Sequence, residues 1–539
     1  MSGARRANRG GGDVEGSNPR GSELCADNNA DLARYRCLQA LVVAVNQTGT
    51  TRQWYTETKE LQLASFQLCE ACRGAHTVHL RVDRDVQTTL VPTADGRREY
   101  LQRRASSRVP RLRARRVTWE LPSLDLLGDV MGILISAEEL FLDSAFDSSL
   151  AVRAWPSGLR QVEFSYFSRF NQAIEEVAWP SSLERLTFGR WFNQPVGEVT
   201  WPTSLQQLTF DEKFDRAIEH VIWPKSLQQL TLGYSFNRTI ARVEWPASLG
   251  ELTLGACFNQ PIEDVTWPMS LQNLTFGDCF NQAIERVEWP GSLRLLAFGD
   301  AFNQPIEGVT WPTSLQQLRF QYSFNQSIRR VQWPKMLKDL HFSGLFDKPI
   351  EGVTWPASLE MLEIYAGFDQ PIEGVEWPPA LQELVLDSCF NQPIEGATWP
   401  ASLQQLTLGH SFNRTIEGVE WPRSLQELDI GAAFNQPIKG VRWPASLQYL
   451  TFRRDFNQPV EETTWPASLK DLKFGEEFNQ PVERVTWPTT LQWLRFGREF
   501  NQPIENITWP ASLKQVSIYG RSVSLRTRFN ELRPYASPG

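Results

Sequence analysis

Residues 201–222 read WPTSLQQLTFDEKFDRAIEHVI, and Trp223-Pro224 then opens the same arrangement again. Seventeen Trp-Pro pairs run from Trp155 to Trp509, the first step being 24 residues and every later one 22. A fixed period of this length is the mark of stacked units rather than of independent domains. In the quoted unit Leu205, Leu208 and Phe210 follow the Trp by four, seven and nine residues, and Phe214-Asp215 by thirteen and fourteen. Ile218 and Val221 complete the apolar set before the next Trp.

Proline follows every one of these Trp residues, and many units hold a second Pro in the run Phe-Asn-Gln-Pro. Proline lacks an amide donor and breaks helix interiors, so a long helix has no room in such a unit. The strand window is Leu-Thr-Phe, where Leu208 and Phe210 point one way and Thr209 the other. Thr187, Thr209, Thr231, Thr253, Thr275, Thr407 and Thr451 form that outward column, and β-branched residues suit it. The glycine that follows, as at Gly233, Gly255, Gly277, Gly409 and Gly475, is expected to release the chain into a bend. One unit buries too few side chains to offset the ordering of its own residues, so stability belongs to the array and its capped ends. Stacked strands about 4.8 Å apart would make 17 turns into a parallel sheet roughly 80 Å long. The expected fold is a β-rich solenoid with a parallel sheet on one face and a small mixed α/β region before it.

Other columns acquire meaning from the stack. Asn171, Asn193, Asn237, Asn259, Asn281, Asn303, Asn325 and their successors to Asn501, with Asp215, Asp347 and Asp369, would form a ladder whose side chains bond backbone groups at a bend. Glu263, Glu285, Glu307, Glu351, Glu373, Glu395, Glu417, Glu461, Glu483 and Glu505 form a column of like charge, expected to be solvated, that Arg329 and Lys439 interrupt. Cys257, Cys279 and Cys389 stand twelve residues after a Trp, where other units have Ser, Ala or Gly, which suggests a small buried position.

The chain has 539 residues, 41% of them hydrophobic and 12% aromatic, enough to fill a continuous interior. No window approaches the roughly 18 apolar residues of a membrane span. The opening MSGARRANRGGGDVEGSNPR has no apolar core of a secretory signal, so the expected location is intracellular, cytoplasmic or nuclear, with seven cysteines as free thiols. Residues 1–119 hold 20 Lys+Arg against 12 Asp+Glu, leaving 34 against 50 for the remainder of a chain whose net charge is −8. A basic N-terminal part thus precedes an acidic array.

The 22-residue spacing, the Phe-Asn-Gln-Pro-Ile run and the Leu-x-x-Leu-x-Phe-Gly run together resemble the FNIP repeat, a relative of the leucine-rich repeat, over about residues 133–520. The resemblance implies a leucine-rich-repeat-like solenoid used for binding proteins. Members often carry an N-terminal F-box and less often a kinase domain, and neither is plain here. Residues 133–154 keep Leu140, Leu142, Phe146, Asp147 and Leu150 but lack Trp-Pro, and with 117–132 they are expected to cap the array. The array proper spans 155–520, with two extra residues within Ser165–Arg169. Leu513, Val516 and Ile518 begin a last turn, and 521–539 would be the closing cap and tail.

Residues 1–22 are expected to be a disordered tail and 23–116 the mixed region. Asp31–Val45 and Gln53–Cys72 suggest two helices, His76–Thr93 a hairpin, and Arg97–Arg116 holds nine arginines. Cys69, Cys72, His76 and His79 are too closely spaced for a zinc finger. Asp31–Cys72 has the length of an F-box but not its Leu-Pro opening, so a ubiquitin-ligase adaptor stands as an alternative partner. The arginines raise a further alternative, nucleic-acid binding through phosphates, which is disfavoured beside protein binding.

No phosphate-binding loop, dinucleotide fingerprint, kinase signature or nucleophile elbow occurs, and the five histidines fall in unrelated columns, so no catalytic residue, cofactor or metal is expected. The outward positions six, eight and eleven after Trp are mostly Gln, Thr and small residues. Tyr449, Arg453, Arg454, Trp493, Arg495 and Arg498 depart from that background together, and aromatic residues with Arg are the composition of interface hot spots. Arg319, Tyr322, His341 and Tyr365 form a second group. The expected function is a non-enzymatic scaffold that binds protein on the solenoid face.

Overall fold

A computed structural model describes residues 41–45, 78–82, 116–119, 137–144, 146–150, 155–504, 507–519 and 521–524. Among these residues the chain forms 22 strands of one sheet and no helix. From Arg116–Trp119 to Gln515–Ile518 each strand pairs in parallel with the next, residue n against the equivalent residue of the following turn, as Leu274 against Leu296 and Leu318 against Leu340.

Each strand is short because the flanking Trp-Pro and Phe-Asn-Gln-Pro elements end it on both sides. Alternation decides which side chains go inward. In Gln317–Phe320 Leu318 and Phe320 are buried while Gln317 and Arg319 face out, and the neighbouring strands repeat the pattern. Equivalent core residues therefore stack on themselves. Phe280, Phe302 and Phe324 form a ladder with ring centroids 6.0 and 6.2 Å apart, and Phe298 lies over Phe302 at 4.1 Å. The Trp residues make a second ladder, with Trp155, Trp179 and Trp201 spaced 6.1 and 6.4 Å apart. Offset aromatic pairs add to the burial that drives each turn onto the last.

The Asn column is the ladder expected of it. Asn281 Oδ1 accepts the backbone N–H of Asn303 at 2.9 Å, and Asp215 Oδ1 does the same for Asn237 at 3.0 Å. Gln side chains of the next turn join in, as Gln304 Nε2 bonds Asn281 Oδ1 at 3.0 Å. Opposite this ladder, Ser226, Ser248 and Ser270 each donate to a Leu carbonyl of the preceding turn at 2.6 Å. Described members of the Glu column, such as Glu263, Glu285 and Glu373, are exposed.

Four expectations need correction. Leu41–Val45, within the span taken for a helix, is a strand, as the run Leu-Val-Val-Ala-Val favours. Val78–Val82 is a strand too, but it pairs in parallel with Leu41–Val45 and antiparallel at His79 with Thr118, not in a hairpin within 76–93. The second helix, Cys69, Cys72, His76 and the arginines before Arg116 lie outside the described residues. The column twelve after Trp is not buried: Cys279 and Cys389 are exposed and Cys257 half-buried, because side chains there leave the bend outward. The glycine column answers to crowding more than to bending. A Cβ on Gly277 would lie 2.0 Å from the carbonyl oxygen of Gly255 in the preceding turn.

The ends differ from the middle. Leu140, Leu142, Phe146 and Leu150 are fully buried against the first Trp-Pro turn. At the other end Arg521–Ser524 turns back antiparallel on Gln515–Ile518, through Tyr519 at φ 43°.

Candidate functional site

With the core columns repeating from turn to turn, individuality is confined to side chains that the stack does not use. On the sheet face these stand six and eight residues after each Trp, and ten after it where the turn has no glycine there; position eleven, expected on the face, lies on the bend. From Thr187 to Ala297 the middle column is Thr in every turn but the last. From Arg319 onward it becomes Arg319, His341, Glu363, Val385, Thr407, Asp429, Thr451, Lys473 and Arg495, each the register partner of the next.

Register brings His341 and Tyr365 of the second group to the carboxylate of Glu363, with Arg319 one strand beyond His341. His341 Nδ1 is in direct contact with a Glu363 oxygen, and both side chains are largely covered. The His341 hydrogen bond holds the Glu363 carboxyl below its usual range against the opposing effect of burial, and Tyr365 and Arg319 act in the same direction. Burial and then the Glu363 charge push the Tyr365 hydroxyl up to about 12. Glu383 on the next strand is raised, first by burial and then by Glu363 and Glu427. Tyr322 does not join them and lies exposed on the bend.

The first group divides in two. Tyr449, Asp471 and Trp493 occupy one column on consecutive strands. Arg495 pairs with Asp471 at 2.8 Å, and burial nevertheless raises the Asp471 carboxyl more than Arg495 and Lys473 lower it. Arg453 grips Asp429 through two bonds of 2.8 and 2.7 Å, a geometry that holds the guanidinium in place. Lys514 lies over the Trp493 ring at 4.9 Å. Arg454 and Arg498 stand apart on the bends, paired with Asp455 at 2.7 Å and Glu499 at 3.6 Å, and Arg498 lies 6.0 Å from the Tyr519 ring. These arginines are thus built into ion pairs rather than presented as free cations.

Sequence reasoning weighed aromatic and Arg departures and overlooked their acids. Asp339, Glu363, Glu383, Asp429 and Asp471 depart from the Gln and Thr columns just as plainly. It also overlooked a patch near the two-residue insertion, where Tyr166, Phe167, Trp191 and Tyr234 are exposed. Arg190 lies 5.8 Å from the Tyr166 ring and 5.6 Å from that of Trp191, and Glu212 accepts from Tyr166 at 3.0 Å and from Arg190 at 3.0 Å. The signal was present: Phe167 and Trp191 fill the column that from Ser235 to Ser323 holds only Ser, Cys and Ala.

A shallow furrow lined by Gln404, Gln426, Gln448, Lys470 and a row of hydroxyls runs beside the sheet. Its groups are spent on the stack, Ser424 on the Leu403 carbonyl at 2.6 Å and Lys470 on Gln448 at 2.7 Å. Among the described residues no three His, Cys, Asp or Glu side chains gather as a metal-ligand set, and no helix is long and apolar enough to cross a membrane.

Among solved structures, the chain is similar to CroV588, described as a novel circular leucine-rich-repeat protein, with 36% identity and a TM-score of 0.69. The match covers 76% of this chain, and the chain spans about 60% of the length of that structure. A remoter likeness, at 10% identity and a TM-score of 0.48, is to the Drosophila Toll–Spatzle complex, covering 75% of this chain and 62% of that one. Another, at 11% identity and 0.40, is to an internalin from Listeria monocytogenes, covering 66% and 94%. No curated protein matches the chain. The model of the FNIP Repeat matches residues 170–213, 258–301, 302–345, 368–411, 390–433, 434–477 and 478–520, together more than half of the chain. The chain therefore belongs to the FNIP repeat family, with a parallel solenoid of leucine-rich-repeat type.

Proposed function

We propose that the protein is a non-enzymatic scaffold that binds a protein partner on the sheet face between Gln317 and Phe496. One observation carries this reading. At Arg319 the middle outward column changes from Thr and Ala, unbroken from Thr187 to Ala297, to one that holds Arg319, His341, Glu363, Asp429, Lys473 and Arg495, while the inward columns stay apolar. Stacking does not require that change, since the preceding turns stack without it. Ion pairs such as Arg453–Asp429 and Arg495–Asp471 hold long side chains in fixed positions, which lowers the entropy lost on docking.

Affinity purification with the full chain tests the reading. Trp493→Ala with Arg495→Ala, and Arg319→Ala with His341→Ala, are compared with Gln229→Ala and Thr231→Ala in the neutral part. Partners should be lost from the first two variants and kept by the third. Equal recovery from all three sinks the proposed surface. A ubiquitin-ligase substrate receptor is less well supported, because the strand Leu41–Val45 falls inside the span that a three-helix adaptor-binding module would need.

A further inference from the structure

Cys257 and Cys279 occupy the same position in consecutive turns, twelve residues after Trp245 and Trp267. Bonds around them hold each turn to the one before it. Cys257 N–H donates to the Tyr234 carbonyl and Cys279 N–H to the Ala256 carbonyl, each at 2.7 Å. One residue on, Phe258 and Phe280 stack at 6.0 Å, and beyond them Asn281 N–H bonds Asn259 Oδ1 at 2.9 Å. Backbones stacked at about 4.8 Å lie within the roughly 4.4–6.8 Å that a disulfide spans between Cα atoms. The pair sits in the bend and outside the strands, so the small approach of the two Cβ atoms needed for bonding disturbs no ladder. Cys279 is exposed and Cys257 half-buried beside it.

We propose that Cys257 and Cys279 are a thiol pair that closes reversibly into an inter-turn disulfide by exchange with a small-molecule disulfide such as oxidised glutathione. The Cys279 thiolate attacks one glutathione sulfur, giving a mixed disulfide and releasing one glutathione thiolate, which takes up a proton. Cys257 then gives its proton to solvent, attacks the Cys279 sulfur, and expels the second glutathione. Two protein thiols are oxidised by two electrons and one glutathione disulfide is reduced to two thiols. Burial, then Cys279, with Asp215 and Asp278 behind it, push the Cys257 thiol up. The closing step therefore accelerates about tenfold per pH unit below that value, as thiolate becomes available.

The test uses the full chain, incubated with oxidised glutathione at the concentration that fully modifies Cys389, an exposed thiol with Gly367 and Ser411 as its column neighbours. No Lys or Arg lies between Arg242 and Arg286, so trypsin leaves both cysteines, and no other, on one peptide, Val243–Arg286. That peptide should be lighter by two hydrogen atoms and free of glutathione, while Cys389 keeps its adduct. Cys257→Ser should leave a persistent glutathione on Cys279. The proposal is overturned if the wild-type peptide carries glutathione to the extent seen in Cys257→Ser, or stays unmodified while Cys389 reacts.

Discussion

Asn281 offers a direct test of what joins one turn to the next. Its Oδ1 accepts the Asn303 N–H at 2.9 Å and the Gln304 amide at 3.0 Å, and Gln304 also reaches the Asn281 backbone carbonyl at 3.1 Å. In Asn281→Ala the Gln304 amide keeps that second acceptor, but the Asn303 N–H at the bend loses its only acceptor among the described residues. An unmet backbone donor costs about 1–3 kcal/mol, and about 2 kcal/mol is expected here, since Asn303 is half-buried. Two kcal/mol is about a 30-fold rise in the local opening constant. Asn281→Asp keeps the acceptor, and Asp347 and Asp369 show that even adjacent carboxylates fit the column, with Asp369 N–H donating to Asp347 Oδ1 at 3.1 Å. Native-state hydrogen exchange on peptides covering 295–305 should therefore show the Asn303 amide exchanging about 30-fold faster in the Ala variant and within about twofold of wild type in the Asp variant. Equal acceleration in both variants would refute the account, because it would assign the ladder's strength to the amide nitrogen rather than the acceptor.

Other outcomes follow from the same geometry. Gly277→Ala places a Cβ 2.0 Å from the Gly255 oxygen and 2.4 Å from backbone carbon atoms and should cost at least ~4 kcal/mol, read as a lowered thermal midpoint. Gly291→Ala, with nothing within 4 Å, should be neutral. Because the folded-state pKa of Glu363 is depressed, its contribution is complete above the ordinary value of 4.5 and is lost as pH falls through the depressed one. Urea unfolding of Glu363→Gln should accordingly lose less stability than wild type between pH 5 and the acid limit of folding, and an identical acid slope would count against the His341 contact. In absorbance titrations of folded protein, Tyr365→Phe should remove a hydroxyl that ionises near pH 12 and none that ionises near 10.

The core was legible because the repeat supplies its own alignment. Trp, Leu, Phe and Asn recur at fixed offsets, and a residue that recurs in every turn must meet itself in the stack, as the Phe280–Phe302 and Asn281–Asn303 contacts show. The glycine column was legible in position but not in cause, since its constraint comes from a carbonyl 22 residues away. Cys279 was misjudged because small size was equated with burial, although a tight outward bend also selects small residues. On the sheet face the departures were visible, yet the pairing of Arg495 with Asp471 and the contact between His341 and Glu363 need register as well as composition. The N-terminal strands Leu41–Val45 and Val78–Val82 have no repeat to align them, and segment length and the absence of Pro misassigned the first although its β-branched run favours a strand.

The ladder of Asn and Asp side chains has a consequence for how such a chain can change its size. Its side-chain oxygens at residue n accept the backbone N–H of residue n+22, with donor and acceptor of the same kind at each step. Excision or duplication of 22 residues between two Trp codons would therefore rejoin equivalent partners and leave the hydrogen-bond pattern, the ring stacks and the strand register intact. The number of turns is thus free to drift by unequal recombination without passing through a misfolded intermediate length, whereas a gain of residues that is not a whole multiple of 22 must be absorbed as a protruding loop, like the extra pair near Tyr166 and Phe167.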